Sequence, residues 1–263
     1  MLAVLPYLVR LHVKAEMEYR GSFIIDRIAQ IITYSAFYAS FWVLLARFNV
    51  IGGWTWPEFA LLLSFQLLVY AFGASFSFTQ MRELEDVIHR GQFDTLLVKP
   101  ISPWAYMVFS QYNVGYLGHI ILAAALMTWS LTRVDVAWTA ATVAYMLAAI
   151  VGGMLIVASI LTMIGALAFV LVRSRHLYPI FFGLFELTRY PLAIFPAGVQ
   201  WLLLTVFPLG FVNYVPIAWI LGKDVALVGW WGGVAAPLVG PMVASLAVLQ
   251  WRWCMRRYQS GGG

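Results

Sequence analysis

Charge is scarce in this chain: Asp, Glu, Lys and Arg make up 10% of its 263 residues, while 63% are hydrophobic. Soluble globular domains carry about a quarter charged residues, so an ordinary soluble domain is excluded. Cysteine occurs once, at Cys254, which rules out an internal disulfide and any multi-cysteine metal site. There is no Gly-x4-Gly-Lys-Ser/Thr phosphate loop, so the chain does not bind ATP in the usual way by itself. No His, Asp and Glu set has metal-ligand spacing, and no serine-triad signature is present. The N-terminal apolar run is broken by Pro6, Arg10 and Lys14, which does not fit a cleavable signal peptide.

Long apolar runs are present instead. Several reach the roughly 20 residues needed to cross a bilayer, and the length accommodates about six spans with short connections. The fold class expected is all-α integral membrane, one transmembrane domain over 1–263. The spans are placed at 23–45, 57–79, 103–131, 138–172, 176–190 and 227–253. Residues 1–20 mix apolar positions with Arg10, Lys14 and Glu18 at helical spacing, which predicts an amphipathic helix lying in the interface. Pro57 suits the opening turn of the second span, and Ser102 is an N-cap for the third. Gly152–Gly153 or Gly165 is the expected place for a kink in the fourth. Trp54, Trp56, Trp104, Trp138, Trp230, Trp231, Trp251 and Trp253 fall at expected membrane boundaries, as an aromatic belt does.

Two segments break this pattern. The stretch 81–100 carries Arg82, Glu83, Glu85, Asp86, His89, Arg90, Asp94 and Lys99 and cannot lie in lipid. It also holds Val87, Ile88, Phe93, Leu96 and Leu97; such an apolar face among charges seeks a partner protein, or anchors the element on the lipid surface. Gly91 is the expected helix terminator, because a left-handed cap favours glycine. The second segment, 191–222, contains Pro191, Pro196, Pro208 and Pro216, which prevents one continuous helix. It is too apolar for a solvated loop, so it is read as short helices dipping into the outer leaflet and returning; a span kinked at proline is the alternative.

Of the 16 Lys and Arg residues, only Arg47, Arg133, Arg189 and Lys223 fall on the side opposite 81–100. The net charge of +5 therefore reads as cytoplasmic-loop bias rather than a nucleic-acid footprint, and it places both termini in the cytoplasm. Within the apolar part, Glu186 and Arg189 stand three residues apart. They form either a structural ion pair or a gating and substrate-passage element. Phe72, Phe76 and Phe78 with Tyr70 crowd the inner half of the second span, as packing or as the lining of a path. His119 has no carboxylate near it in sequence and is read as a packed or hydrogen-bonded residue.

The motif Arg-Gly-x-Phe-Asp-x-Leu-Leu-x-Lys-Pro at Arg90–Pro100, and the Arg-Tyr-Pro-x4-Pro…Phe-Pro-x7-Pro pattern at Arg189–Pro216, resemble ABC-2-type transporter permeases. The likeness is to the compact six-span permeases without a fused ATPase, and it covers essentially the whole chain. It implies a dimerising permease, with a second chain of the same or a related kind and two ATP-binding subunits docked on the cytoplasmic face. In that family the N-terminal interfacial helix and the first cytoplasmic loop, the coupling helix, meet the ATPase. Carried over, the contact residues are Glu83, Asp86, Arg90, Phe93 and Asp94, and 191–222 corresponds to the re-entrant outer helices.

The function expected is thus the permease subunit of an ATP-driven exporter in the cell inner (plasma) membrane. It is non-catalytic, surrounded by membrane lipids, has no nucleic-acid partner, and leaves ATP and Mg on the partner subunit. An autonomous channel or secondary transporter ordinarily shows internal repeats or paired broken helices, and here the broken segment occurs once. A lipid-modifying membrane enzyme calls for clustered acid/base groups, which are not found. The apolar interior favours a hydrophobic or amphipathic substrate.

Overall fold

A helix that is apolar on every face rests only in lipid or among other helices. The computed structural model has five helices long and apolar enough to cross a bilayer: Gly21–Phe48, Trp56–His89, Val114–Leu131, Ala140–Phe169 and Gly229–Met255. It describes residues 20–48, 50–171, 173–225 and 227–259, with Val9, Arg10 and Lys14. The rest of the expected interfacial helix over 1–20, and the tail from Ser260, lie outside the described residues. The described residues are all-helical, with one isolated bridge between Ile51 and Trp54. In chain order the helices are α1 (Arg20–Phe48), α2 (Trp56–Ser75), α3 (Phe78–His89), α4 (Phe93–Leu97), α5 (Pro103–Ser110) and α6 (Leu117–Leu131). There follow α7 (Ala140–Ala166), α8 (Leu177–Leu187), α9 (Ala197–Trp201), α10 (Tyr214–Ile220) and α11 (Gly229–Met255).

α2 is the hub. Its start is set locally: Pro57 stands in the first turn, and Thr55 and Glu58 form a capping box in which the Thr55 amide donates to the Glu58 carboxylate at 2.7 Å. The next turns bury Phe59, Leu61, Leu62, Leu63 and Phe65 completely among the surrounding helices. α1 buries Tyr38, Phe41 and Leu45 in the core and exposes Ile24, Ile25, Ile28 and Ile32 at its other end, a face suited to lipid or another chain. The expected third span is interrupted, as α5 and α6, with the break at 111–113. That break lies against the one between α2 and α3, and the side-chain amides of Gln80, which is buried, and Asn113, which is half-buried, join them. Gln80 Nε2 donates to the carbonyls of Gln111 (2.6 Å) and Ser75 (3.0 Å), and Asn113 Nδ2 donates to Thr79 Oγ1 (2.9 Å). Two irregular stretches thus satisfy each other's polar groups, with the Asn113 amide also donating to the Ser75 carbonyl at 3.1 Å.

α7 stays helical through Gly152–Gly153 and passes into a tighter turn at Leu167, two residues after Gly165; Gly152 lets α11 come close, while Gly153 lies against Val69 of α2 and the Val212 carbonyl. A Cβ on Gly152 would lie 2.8 Å from the Pro237 carbonyl oxygen, and one on Gly240 would lie 2.5 Å from the Gly152 Cα. The prolines sit in α11, at Pro237 and Pro241. Pro237 has no N–H for the Gly233 carbonyl one turn earlier, and the Tyr145 hydroxyl of α7 donates to that oxygen at 2.5 Å.

The expected fifth span, 176–190, contains a helix of 11 residues, α8. At 1.5 Å per residue it covers about 16 Å, roughly half of a 30 Å hydrocarbon core. Its first residues lie on α3, and its last turn ends beside Gln66, partway along α2. Two buried amides receive the freed backbone there. Gln66 Nε2 donates to Thr188 Oγ1 (2.7 Å) and the Phe185 carbonyl (3.3 Å), and Asn213 Nδ2 donates to the Thr188 carbonyl (2.8 Å). Beyond it, short elements follow one another: Leu192–Ile194, α9 continuing as a wider turn over Leu202–Val206, Pro208–Phe211 and α10. Pro191 and Pro196 precede such elements and Pro208 opens one, as a residue without an N–H does. Lys223 closes the segment onto the far end of α2, pairing with Glu58 at 2.9 Å.

Because Gln66 satisfies a helix end inside the bundle, Gln66→Leu is expected to lower the stability of the detergent-solubilised protein by about 1–3 kcal/mol. Thermal unfolding followed by size-exclusion chromatography measures it. An unchanged midpoint would show that α8 is held by packing alone.

Candidate coupling site and membrane path

The 81–100 element folds back on the bundle rather than projecting from it. On α3, Met81 and Leu84 point inward, and with Phe93, Leu96, Phe169, Trp251 and Cys254 they form a second apolar cluster at this end of the molecule. Gly91 ends α3 at φ +66°, and the Gln92 amide returns to the Val87 carbonyl at 2.9 Å, the closing bond of a left-handed cap. α4 then brings Phe93 between Phe169 and Tyr258, each ring centroid 4.9 Å away.

Two carboxylates of α3 add a polar link to the segment that leads into α8. Glu85 is buried, and one of its oxygens accepts from the backbone amides of Ser174 (2.7 Å) and Arg175 (2.8 Å) and from the Ser174 hydroxyl. These residues lead directly into α8, so a carboxylate on α3 holds the foot of α8. At the next residue, Asp86 pairs with the Arg175 guanidinium at 2.5 Å, and the same nitrogen donates to the Arg82 carbonyl. Burial raises the Glu85 carboxyl, but the Arg175 and Ser174 donors outweigh it and hold the group below the usual carboxylate range. The Arg175 hydrogen bond does the same for Asp86.

The residues expected to meet an ATPase divide between two directions. Glu83 and Arg90 are exposed. Asp86 is half-buried and engaged with Arg175. Phe93 is fully buried in the chain's own cluster. Asp94 lies beside the Tyr258 hydroxyl; burial and this carboxylate push the phenol up. Beyond them Leu97 and Val98 are exposed, Val98 by 84%, and form an apolar tip at the end of α4. Glu85 and Arg175 were not singled out from the sequence. One signal was available: Glu85 stands four residues after Met81 and three before Ile88, on the apolar stripe of an amphipathic helix.

Deeper in the bundle, Glu186 and Arg189 pair at the end of α8. The guanidinium also lies over the Phe37 ring of α1 at 4.3 Å, and the Glu186 side chain is 50% exposed. A half-exposed carboxylate at this depth faces either water or another chain, since lipid would exclude it. Phe72 and Phe76 are elsewhere: they border an apolar cavity of about 580 Å³ between α2, α5, α7 and α11. Tyr70 turns the other way, onto Phe182 and Phe185 of α8. His119 packs among Tyr34, Tyr70 and Tyr116. No group of His, Cys, Asp and Glu able to hold a metal ion occurs among the described residues.

Comparison with known proteins adds one match. The family model described as ABC-2 family transporter protein aligns with residues 31–262, which takes in all the crossing helices but the first turns of α1, the charged element and the broken segment. No curated protein matches the chain. The chain therefore belongs to the ABC-2 transporter family and is a multi-pass membrane permease of ABC-type transport.

Proposed function

We propose that this chain is the permease subunit of an ATP-driven exporter, and that the 81–100 element passes the motion of a separate ATP-binding subunit to α8. The observation that carries this reading is the Glu85 contact with Ser174 and Arg175. A push on α3 or α4 moves the foot of α8, and α8 bears the Glu186–Arg189 pair at its other end. The partner docks on Glu83, Arg90, Leu97 and Val98, whereas Asp86 and Phe93 fasten the element to the bundle. ATP and Mg stay on the partner, in keeping with the lack of a phosphate loop.

The path forms between two permease chains, identical or related, along the α1 and α8 faces. The exposed isoleucines of α1 and the half-exposed Glu186 support that placement. α8 with the proline-punctuated segment makes the sixth crossing: its foot lies with α3, and Lys223 lies with Glu58 at the opposite end of α2. The Lys and Arg bias puts 81–100 and both termini in the cytoplasm of a cell-membrane protein. The export direction follows from the family resemblance.

The test is purification of the tagged, full-length chain from its native membranes, with identification of bound proteins by mass spectrometry. A soluble ATP-hydrolysing subunit should accompany the wild type and fall by at least tenfold with Arg90→Glu combined with Val98→Asp, while both chains stay monodisperse. No such subunit in either sample would favour an autonomous transporter.

A further inference from the structure

The cavity beside Phe72 and Phe76 has features that neither coupling nor the proposed path accounts for. Its lining comes from α2, α5, α7 and α11 and the turns beside them, with none from α1 or α8 among the described residues, so it lies apart from the Glu186–Arg189 pair. Small residues, namely Gly73, Ala158, Ala244 and Ala247, leave the trough, and aromatic side chains wall it. Along α7 it runs from Val151 to Thr162, a rise of about 16 Å, close to half of a 30 Å hydrocarbon core and hence to one leaflet. Its volume, about 580 Å³, falls in the range of small-ligand sites. Such an apolar space offers water too few partners to stay.

The two ends differ. Toward the bilayer centre the walls are hydrocarbon. At the end near α4 the cavity reaches Ser102, Trp104 and Arg252. Trp104 is 39% exposed and Arg252 is exposed. Arg252 forms no ion pair among the described residues. A trough about one leaflet long, mainly apolar and with a cationic residue free of ion pairs at its end, suits an acyl chain attached to a phosphate.

We propose that this cleft is a binding site for an anionic phospholipid, with one acyl chain between α7 and α11 and the headgroup phosphate on Arg252. The guanidinium fork suits phosphate oxygens, and its charge adds selectivity for an anionic over a zwitterionic headgroup. Trp251, which lines the cleft, also packs on Phe169 in the cluster that holds Phe93, so the lipid braces the base of the coupling element. The site stands on this geometry; only its assignment to the inner leaflet rests on the sidedness proposed above.

The test is native mass spectrometry of the full-length protein after incubation with equal amounts of phosphatidylglycerol and phosphatidylcholine of the same chain length. The wild type should retain one lipid, with a preference for phosphatidylglycerol of about fivefold, as expected for one cationic side chain near the surface. Ala158→Phe, which fills the trough, should lose that adduct. Arg252→Gln, an exposed change that leaves the packing alone, should keep a lipid but bind the two kinds equally. Undiminished adducts in Ala158→Phe, or unchanged headgroup preference in Arg252→Gln, would overturn the proposal. The assay needs no ATP-binding partner, so its failure leaves the transport reading intact, and failure of that reading leaves the lipid site intact.

Discussion

Replacing Glu85 by alanine is expected to release the foot of α8 and to uncouple it from the 81–100 element. The carboxylate accepts two backbone amides, from Ser174 and Arg175, in a buried setting. An amide left without its acceptor costs about 1–3 kcal/mol, so hydrogen exchange at these two positions should accelerate about tenfold or more while the transmembrane helices stay protected. In the complex with the proposed ATP-binding partner, a spin-label pair on α3 and α8 should lose most of its ATP-dependent distance change. Glu85→Gln, which keeps a carbonyl oxygen at the site, should retain part of both effects. If Glu85→Ala leaves the ATP-dependent change intact, force reaches α8 by another route and the proposed role of the contact is wrong.

The same contact fixes a pH dependence. Because Glu85 and Asp86 titrate below their ordinary values in the folded protein, folding favours their ionised forms. Their contribution is complete above the unfolded carboxylate range, near pH 4, and is lost as the pH falls through the lower folded values. Exchange at Ser174 and Arg175, corrected for intrinsic rates, should therefore stay flat from about pH 5 to pH 8 and rise only in stronger acid. A rise near neutral pH would implicate a different group.

Gly240→Leu is expected to be the most damaging single packing change in the bundle. A Cβ there meets the backbone of Gly152, not a side chain that can rotate away. Overpacking of a tight core ordinarily costs about 1–3 kcal/mol, and a backbone clash that forces α7 and α11 apart lies at or above the top of that range. Little monodisperse protein should be recovered, and Gly240→Ala should show a smaller loss in the same direction. Gly183→Ala is the control: it adds a methyl group on α8, where nothing lies within 4 Å. Equal recovery of Gly240→Leu and wild type, by fluorescence-detected size exclusion, would show that the helices do not meet as closely as described.

Much of this architecture was legible in the chain. Hydropathy marks the long helices because a residue's preference for lipid does not depend on its distant neighbours. Pro57, Ser102 and Gly91 mark helix ends because a missing N–H, a capping hydroxyl and a left-handed φ act within one turn. The Glu186–Arg189 pair followed from the i, i+3 geometry of a helix for the same reason. Phe93 shows the limit: its identity suits docking or burial equally, and it was folding that set it against Phe169 and Tyr258.

What tertiary structure decided are the contacts between residues far apart in the chain. Gln66 and Asn213 read as stray amides in apolar runs until each meets the end of α8, 122 and 25 residues away at Thr188. Glu85 stands on the apolar stripe of its helix, but nothing near it in sequence names its partners, two amides 89 and 90 residues further on. The sequence by itself determined that this is an all-helical membrane chain with one charged element and one broken segment, because those properties are sums over near neighbours. Only the tertiary structure decided that the charged element grips the foot of α8 and that α8 stops halfway. Satisfaction of buried polar groups in a medium without water is a property of the whole arrangement, and no local pattern encodes it.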